Sequence, residues 1–292
     1  MTEQTKKKTF LFLGTPAFSV PSLKALNSIN TIEITGVITQ PDRPKGRGQK
    51  ETASPVKQAT INLNLPCYQP DNKESLESLV HTLKPDLVYV IAYGMILPKS
   101  LTDTYLCINS HASLLPLYRG ASPLQQSLLH RDKETGITLI RMDEKMDEGN
   151  ILATHTYTIQ DHDYIQDVHD QLSDMSAELT TSFFSDQSPN YTGIEQEHKK
   201  ATYCHKIKKE DMQVFLDENP IKTLSKIKAY SPGAFLKTDA TQINILKAHI
   251  AENTLVPDSV KPAGKKAMSY HDYCLGAAPL PFQKFSKKEK PC

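Results

Sequence analysis

Residues 86–93, DLVYVIAY, narrow the possible folds more than any other stretch of the chain. From Leu87 to Tyr93 every side chain is apolar or aromatic, with no polar alternation. A strand with one wet face alternates. One that is apolar at successive positions is buried on both faces, as happens inside a parallel sheet covered by helices. Parallel neighbours cannot be joined by tight hairpins and need crossover connections, usually helical. The chain around this strand should therefore alternate strand and helix.

It does. Short β-branched or apolar runs predict strands at 9–14, 32–40, 107–112, 135–143 and 151–159. Apolar residues at helical spacing predict helices at 19–28, 54–64, 73–83, 122–131 and 163–186. Ser54 and Ser122 read as helix N-caps, each followed by a proline suited to the first helical position. The pattern predicts an open α/β sheet with helices on both faces. Ligands of such sheets bind beyond the carboxyl ends of the strands. Three segments fall there: Tyr93-Gly94-Met95, residues 109–116 and residues 142–149. After the first strand, Gly14-Thr15-Pro16 lacks the GxGxxG spacing that admits a pyrophosphate, and no Walker loop is present.

At 292 residues the chain is too long for one small core. Composition shifts after residue 186, which predicts domains at 1–186 and 209–292 joined by a polar linker, 187–208. The second part carries a helical pattern at 220–230, a Pro-Gly turn in SPGAFLKT and a strand in INILKAHI. Hydrophobic and charged fractions of 38% and 23% are those of a globular protein. No apolar run approaches the roughly 20 residues of a membrane span, and the opening MTEQTKKKTFLFLGTP reads as a polar tail before the first strand. Five widely spaced cysteines with no CxxC pair predict neither a disulfide framework nor a metal site, and fit a reducing cytoplasmic setting. Net charge is +1, but PDRPKGRGQK sets Arg43, Lys45, Arg47 and Lys50 against Asp42 alone. Seven lysines follow Val260. Such patches can hold a polyanion locally, or can be a solvated loop and tail.

Asn109 and His111 lie two apart on a predicted strand, so they share a face. An amide and an imidazole so placed can donate to one oxygen, and Asp147, after a separate strand, can orient the imidazole and help remove a proton. Donors for an oxyanion beside acid–base groups suit acyl transfer. No serine or cysteine sits in a nucleophile elbow, so the acceptor's own amine would attack. On spacing alone, a satisfied core histidine beside a structural amide stays open as an alternative.

The run INSHASLLPLYRGASPLQ followed by ETGITLIRMDEKMDEGNIL resembles the tetrahydrofolate-dependent formyltransferases. FLGTPAFSVPSLKAL, VITQPDRPKGRG, VIAYGMILPKSL and KPAGKKAMSYHDY are similar to the branch of that family that acts on initiator methionyl-tRNA, and ATYCHKIKKED fits the approach to its second domain. The resemblance implies a Rossmann-like catalytic domain holding 10-formyltetrahydrofolate and a smaller OB-like β-barrel that contacts tRNA. It implies that Asn109 and His111 bind the formyl oxygen while Asp147 pairs with His111 and assists loss of the ammonium proton. Ser113, Leu114, Leu115 and Pro116 would wall the folate pocket, with the backbone of Tyr93 and Gly94 and the 142–147 loop near the pterin. The arm bearing Arg43, Lys45, Arg47 and Lys50 would reach the acceptor stem. A cytoplasmic monomer without metal or membrane is expected. Few residues separate INILKAH from KPAGKKAM, YSPGAF is short, and tryptophan is absent, so the barrel is expected to be reduced. Formylation of a small amine such as an amino-sugar nucleotide, hydrolysis of formyl-folate, and non-catalytic folate or RNA binding are the alternatives.

Overall fold

Strand and helix alternate through the first two thirds of the computed structural model, which describes residues 7–45, 50–238 and 241–284. In chain order come β1 (Lys8–Gly14), α1 (Val20–Asn27), β2 (Ile32–Ile38), β3 (Arg43–Lys45), β4 (Lys50–Thr52), α2 (Pro55–Leu63), β5 (Cys67–Tyr68), α3 (Lys73–Leu83), β6 (Leu87–Ile91), α4 (Lys99–Thr104) and β7 (Leu106–His111). There follow β8 (Arg119–Gly120), α5 (Pro123–His130), β9 (Glu134–Arg141), β10 (Ile151–Thr158), α6 (Ile165–Ser185), β11 (Tyr203–Cys204), β12 (Gln213–Val214), α7 (Pro220–Tyr230), β13 (Phe235–Lys237), β14 (Gln242–Ala251), β15 (Thr254–Pro262), β16 (Met268–Ser269) and α8 (Tyr270–Gly276). These form two compact units. The first takes residues up to Gly120, Thr135–Tyr157 and His169–Tyr203; the second takes Ala121–Glu134, Thr158–Val168 and the chain from Cys204 on.

The first unit is built on a seven-stranded sheet in the order β10-β9-β7-β6-β1-β2-β5. β1, β2, β5, β6 and β7 run parallel, and β9 lies antiparallel to β7. β6 is buried along its whole length, as its unbroken apolar run requires. Its residues Val88 and Val90 pack with Leu11, Leu13 and Ile38 and with Leu76 and Val80 of α3. Strand order reverses between β1 and β6, so the topological switch point lies at Gly14 and Ile91. Two hydroxyls stitch it: Ser19 Oγ donates to the Ile91 carbonyl at 2.7 Å and Thr15 Oγ1 to the Tyr93 carbonyl at 2.8 Å.

Local chemistry sets the helix boundaries. Ser54 caps α2 by accepting from Lys57 N at 3.0 Å, and Asn72 caps α3 by accepting from Ser75 N at 2.8 Å. Ser122 does not cap α5. Its ψ of 52° takes the backbone out of the extended region that aims a cap oxygen at the first turn. The hydroxyl instead donates to the His205 carbonyl at 2.5 Å. The polar stretch read as a linker is seated as far as residue 203 on the first unit. Ile194 and Ile151 exchange two backbone hydrogen bonds of 2.8 Å, and Asn150 Nδ2 donates to Thr192 O at 3.0 Å. The basic arm pairs Arg43 with Thr52 and Lys45 with Lys50 in the antiparallel strands β3 and β4. Arg47 lies outside the described residues.

The second unit holds a five-stranded sheet, β12-β13-β14-β15-β16, antiparallel except between β12 and β13. Five strands is the number of a small oligonucleotide-binding barrel, and the two edge strands are reduced to two residues each. The interval that looked too short for further strands is itself β15. Glu252 (φ 47°) and Asn253 (φ 61°) turn the chain in two residues, so little length is spent on the connection. Ile227 of α7 and Leu236, Ile245 and Leu255 of the sheet form the core, with Tyr164, Leu280 and Phe282 packed against it.

Candidate active site

β7 ends at the carboxyl edge of the sheet, and alternation puts Asn109 and His111 on one of its faces. The loop between β9 and β10 returns to the same place and delivers Asp147, whose backbone is left-handed at φ 57°. The three side chains meet. Asn109 Nδ2 donates to Asp147 Oδ1 at 3.3 Å, and His111 Nδ1 lies 3.6 Å from Asp147 Oδ2. Oδ2 also accepts from the Gly120 backbone N–H at 2.9 Å, and Gln196 Nε2 donates to the Asp147 carbonyl at 2.8 Å. His111 Nε2 is 2.9 Å from the Tyr118 carbonyl, which can only accept, so Nε2 carries a hydrogen. Nδ1 is thus the nitrogen left to exchange a proton with the carboxylate or a substrate. His111 is 6% exposed, while Asn109 is half-buried and can be reached.

The 113–116 turn is tied to β9. Thr138 on β9 takes it at two points, donating from Oγ1 to Ser113 O at 2.6 Å and accepting from Leu115 N at 3.2 Å. Ser113 and Leu115 are buried, whereas Leu114 and Pro116 keep part of their surface open. Of the four, the latter two can offer side-chain surface to a ligand. Tyr93 likewise turns inward: its ring is 2% exposed in the core with Leu97, Leu101 and Cys107, and burial pushes its hydroxyl up to about 12. Only its backbone and Gly94 remain for a ligand. Gly94 is exposed at φ 91°, and a Cβ there would meet only Gln40 Cγ, at 3.8 Å. Gln40 Nε2 is buried without a hydrogen-bond partner. A buried donor without a partner carries a cost, which makes Gln40 a ligand-contact candidate that pattern reading missed. Leu117, Ile96 and Met146 add exposed apolar surface on the loops after β7, β6 and β9.

In the basic arm Arg43 is exposed, and Lys45 and Lys50 are backbone partners in the β3–β4 pairing. Asp42, the acid that would offset them, is engaged elsewhere. Its hydrogen bonds to Lys57 (2.5 Å) and Gln69 (2.8 Å) hold its carboxyl below the ordinary value. Among the described residues no three His, Cys, Asp or Glu side chains are grouped to hold a metal ion, and no helix is long and apolar enough to cross a membrane.

An open α/β sheet with two hydrogen-bond donors and a carboxylate at its strand ends suits transfer of a one-carbon acyl unit. The profile of one family, Formyl transferase, matches residues 6–183, and the chain belongs to that family. It is similar to methionyl-tRNA formyltransferase of Hydrogenobaculum sp. (strain Y04AAS1), with 39% identity over 94% of this chain and 89% of that one. It is also similar to methionyl-tRNA formyltransferase of Legionella pneumophila (strain Paris), with 39% identity over 87% and 82% of the two chains. Among solved structures, a 4-N formyltransferase from Francisella tularensis superposes with a TM-score of 0.67 at 19% identity, covering 82% of this chain and 97% of that one. Methionyl-tRNA formyltransferase from Clostridium thermocellum superposes with a TM-score of 0.60 at 16% identity, covering 87% and 98%. At those identities the structural likeness concerns the fold.

Proposed function

We propose that this chain transfers the formyl group of 10-formyltetrahydrofolate to the α-amino group of methionyl initiator tRNA. The observation that carries the reading is the convergence of Asn109, His111 and Asp147 at the end of β7. The α-ammonium must first lose a proton, and the Asp147–His111 Nδ1 pair receives it. The freed lone pair adds to the formyl carbon, and the carbonyl π pair moves onto oxygen. Asn109 Nδ2–H and the now protonated His111 Nδ1–H donate to that oxyanion. The intermediate collapses by expelling N10 of tetrahydrofolate, which takes the proton held by the pair. The attacking nitrogen's second proton leaves to solvent. No covalent enzyme intermediate forms.

Folate fits the residues beside this centre. Gly94 presents open backbone, Gln40 Nε2 is buried without a partner, and Leu114 and Pro116 give an apolar wall. The exposed Arg43, with Lys45, Arg47 and Lys50, would engage acceptor-stem phosphates, and residues 209–292 would contact the tRNA body. We place the protein in the cytoplasm as a monomer. The test supplies 10-formyltetrahydrofolate with methionyl initiator tRNA, with an amino-sugar nucleotide, or with buffer alone, and follows tetrahydrofolate release. Release that requires the tRNA supports the proposal. Transfer only to the sugar, or release into buffer alone at the same rate, overturns it.

A further inference from the structure

Asp147 turns the chain with a left-handed backbone at φ 57°, a conformation open to aspartate but disfavoured for most residues other than glycine. One amide group brackets the turn. Gln196, 3% exposed, donates from Nε2 to the carbonyls of both Asp147 and Gly149, each at 2.8 Å, and so brackets the turn. A glutamine amide could equally turn its oxygen to the loop, which would place oxygen against oxygen and open the bracket. What prevents this is Arg119. Its Nε and Nη2 reach Gln196 Oε1 at 3.1 and 2.8 Å, and a guanidinium has donors only, so the oxygen must face it and the NH2 must face the loop.

Arg119 has no solvent-facing role: it is 1% exposed. Its other hydrogens go to Tyr203 Oη and His198 Nδ1, both at 3.0 Å, and Nη1 lies 3.3 Å from Glu148 Oε1. Glu148 is the residue between the two bracketed carbonyls. One buried guanidinium therefore holds the loop twice, through the backbone by way of Gln196 and through the Glu148 side chain. Burying a charge is a poor route to stability, since apolar residues of similar volume often do as well or better. The arrangement makes physical sense as a device for aiming one carboxylate. We infer that Arg119 and Gln196 are positioning residues that fix the Asp147 turn so that its carboxylate addresses Asn109 and His111. Neither touches the reacting atoms, and the kinetic part of the inference rests on the proposed function.

Gln196→Glu tests it, because it keeps the shape and the hydrogen bonds from Arg119 while replacing the two loop donors by an acceptor. Amide hydrogen exchange at residues 147–150, measured without substrate, should accelerate. The kcat for formyl transfer should fall by about 10²-fold, the loss typical of a misplacement near 1 Å, with KM for both substrates unchanged. Val80→Ala, in α3 and remote from the loop, supplies a control with its own loss of Tm. Glu148→Gln, at the less buried end, should reproduce the faster exchange more weakly should Gln196→Glu not fold. Unchanged exchange at 147–150 in the folded variant overturns the inference, as does a kcat loss no larger than that of Val80→Ala at the same offset from Tm. If the unmodified chain formylates no tRNA, the proposed function fails, while the exchange comparison still decides on the positioning pair.

Discussion

Truncating Asn109 to alanine separates catalysis from stability at this site. The amide's hydrogen bond to Asp147 is 3.3 Å long, at the weak end of the range, and the residue is half-buried. Its loss should cost the fold about 1 kcal/mol, which moves the Tm of a protein this size by only a few degrees. Loss of an oxyanion donor, by contrast, costs on the order of 10²–10³ in kcat, or about 2.7–4 kcal/mol. Single-turnover transfer from 10-formyltetrahydrofolate to methionyl initiator tRNA at 25 °C, where the variant stays folded, should show this loss with KM little altered. Asn109→Asp sharpens the comparison. It removes the donor and sets a second carboxylate 3.3 Å from Asp147 Oδ1, a repulsion on the order of 5 kcal/mol at an effective dielectric of 20 before relaxation. The aspartate variant should therefore be slower than the alanine variant and less stable. An alanine variant within about tenfold of the unmodified rate, well short of the loss such donors produce, would refute the assignment of Asn109 as an oxyanion donor.

Arg43→Ala combined with Arg47→Ala should weaken tRNA binding and flatten the slope of log Kd against log salt by about 0.7–0.9 for each phosphate no longer neutralised, with folate affinity unchanged in equilibrium titration. Burial pushes the Cys107 thiol up to about 12, so in the native protein near pH 8 a thiolate-selective alkylating reagent should label half-exposed Cys67 and Cys274 and reach Cys107 only on unfolding, as read by peptide mass spectrometry. Burial also holds Tyr93 up at about 12 against an ordinary value near 10. Its folded-state value is raised, so the stability tied to its neutral form is complete below about pH 10 and is lost as pH rises towards 12. The Tyr93 hydroxyl is buried with no partner, so Tyr93→Phe should raise stability by about 1 kcal/mol in urea titrations at neutral pH and lessen the alkaline loss.

The legible parts of the fold were those whose signal is local. α3 and α7 occupy 73–83 and 220–230, the ranges predicted from their helical pattern. Strands of two or three residues, such as β5, β12 and β16, carry no period to detect and exist only because a neighbour pairs with them. Ser122 has the right residue type for a cap, yet its hydroxyl is taken by the His205 carbonyl, a partner distant in sequence. In the site, the two-residue spacing put Asn109 and His111 on one face, and the family resemblance supplied Asp147. In the turn 113–116 Ser113 and Leu115 are buried while Leu114 and Pro116 are accessible, and Thr138, 25 residues from Ser113, holds two of its backbone groups.

By itself the sequence determined the class of sheet, because continuous burial of β6 leaves few other structures. It also determined which side chains β7 shows together, because strand alternation is a property of the backbone. Tertiary structure decided which nitrogen of His111 is free, since that depends on the Tyr118 carbonyl. It decided as well that Asp147 is aimed by Gln196 and Arg119, residues 49 and 28 positions away along the chain. Hydrogen bonds between groups far apart in sequence have no period and no motif, so only the folded chain reveals them.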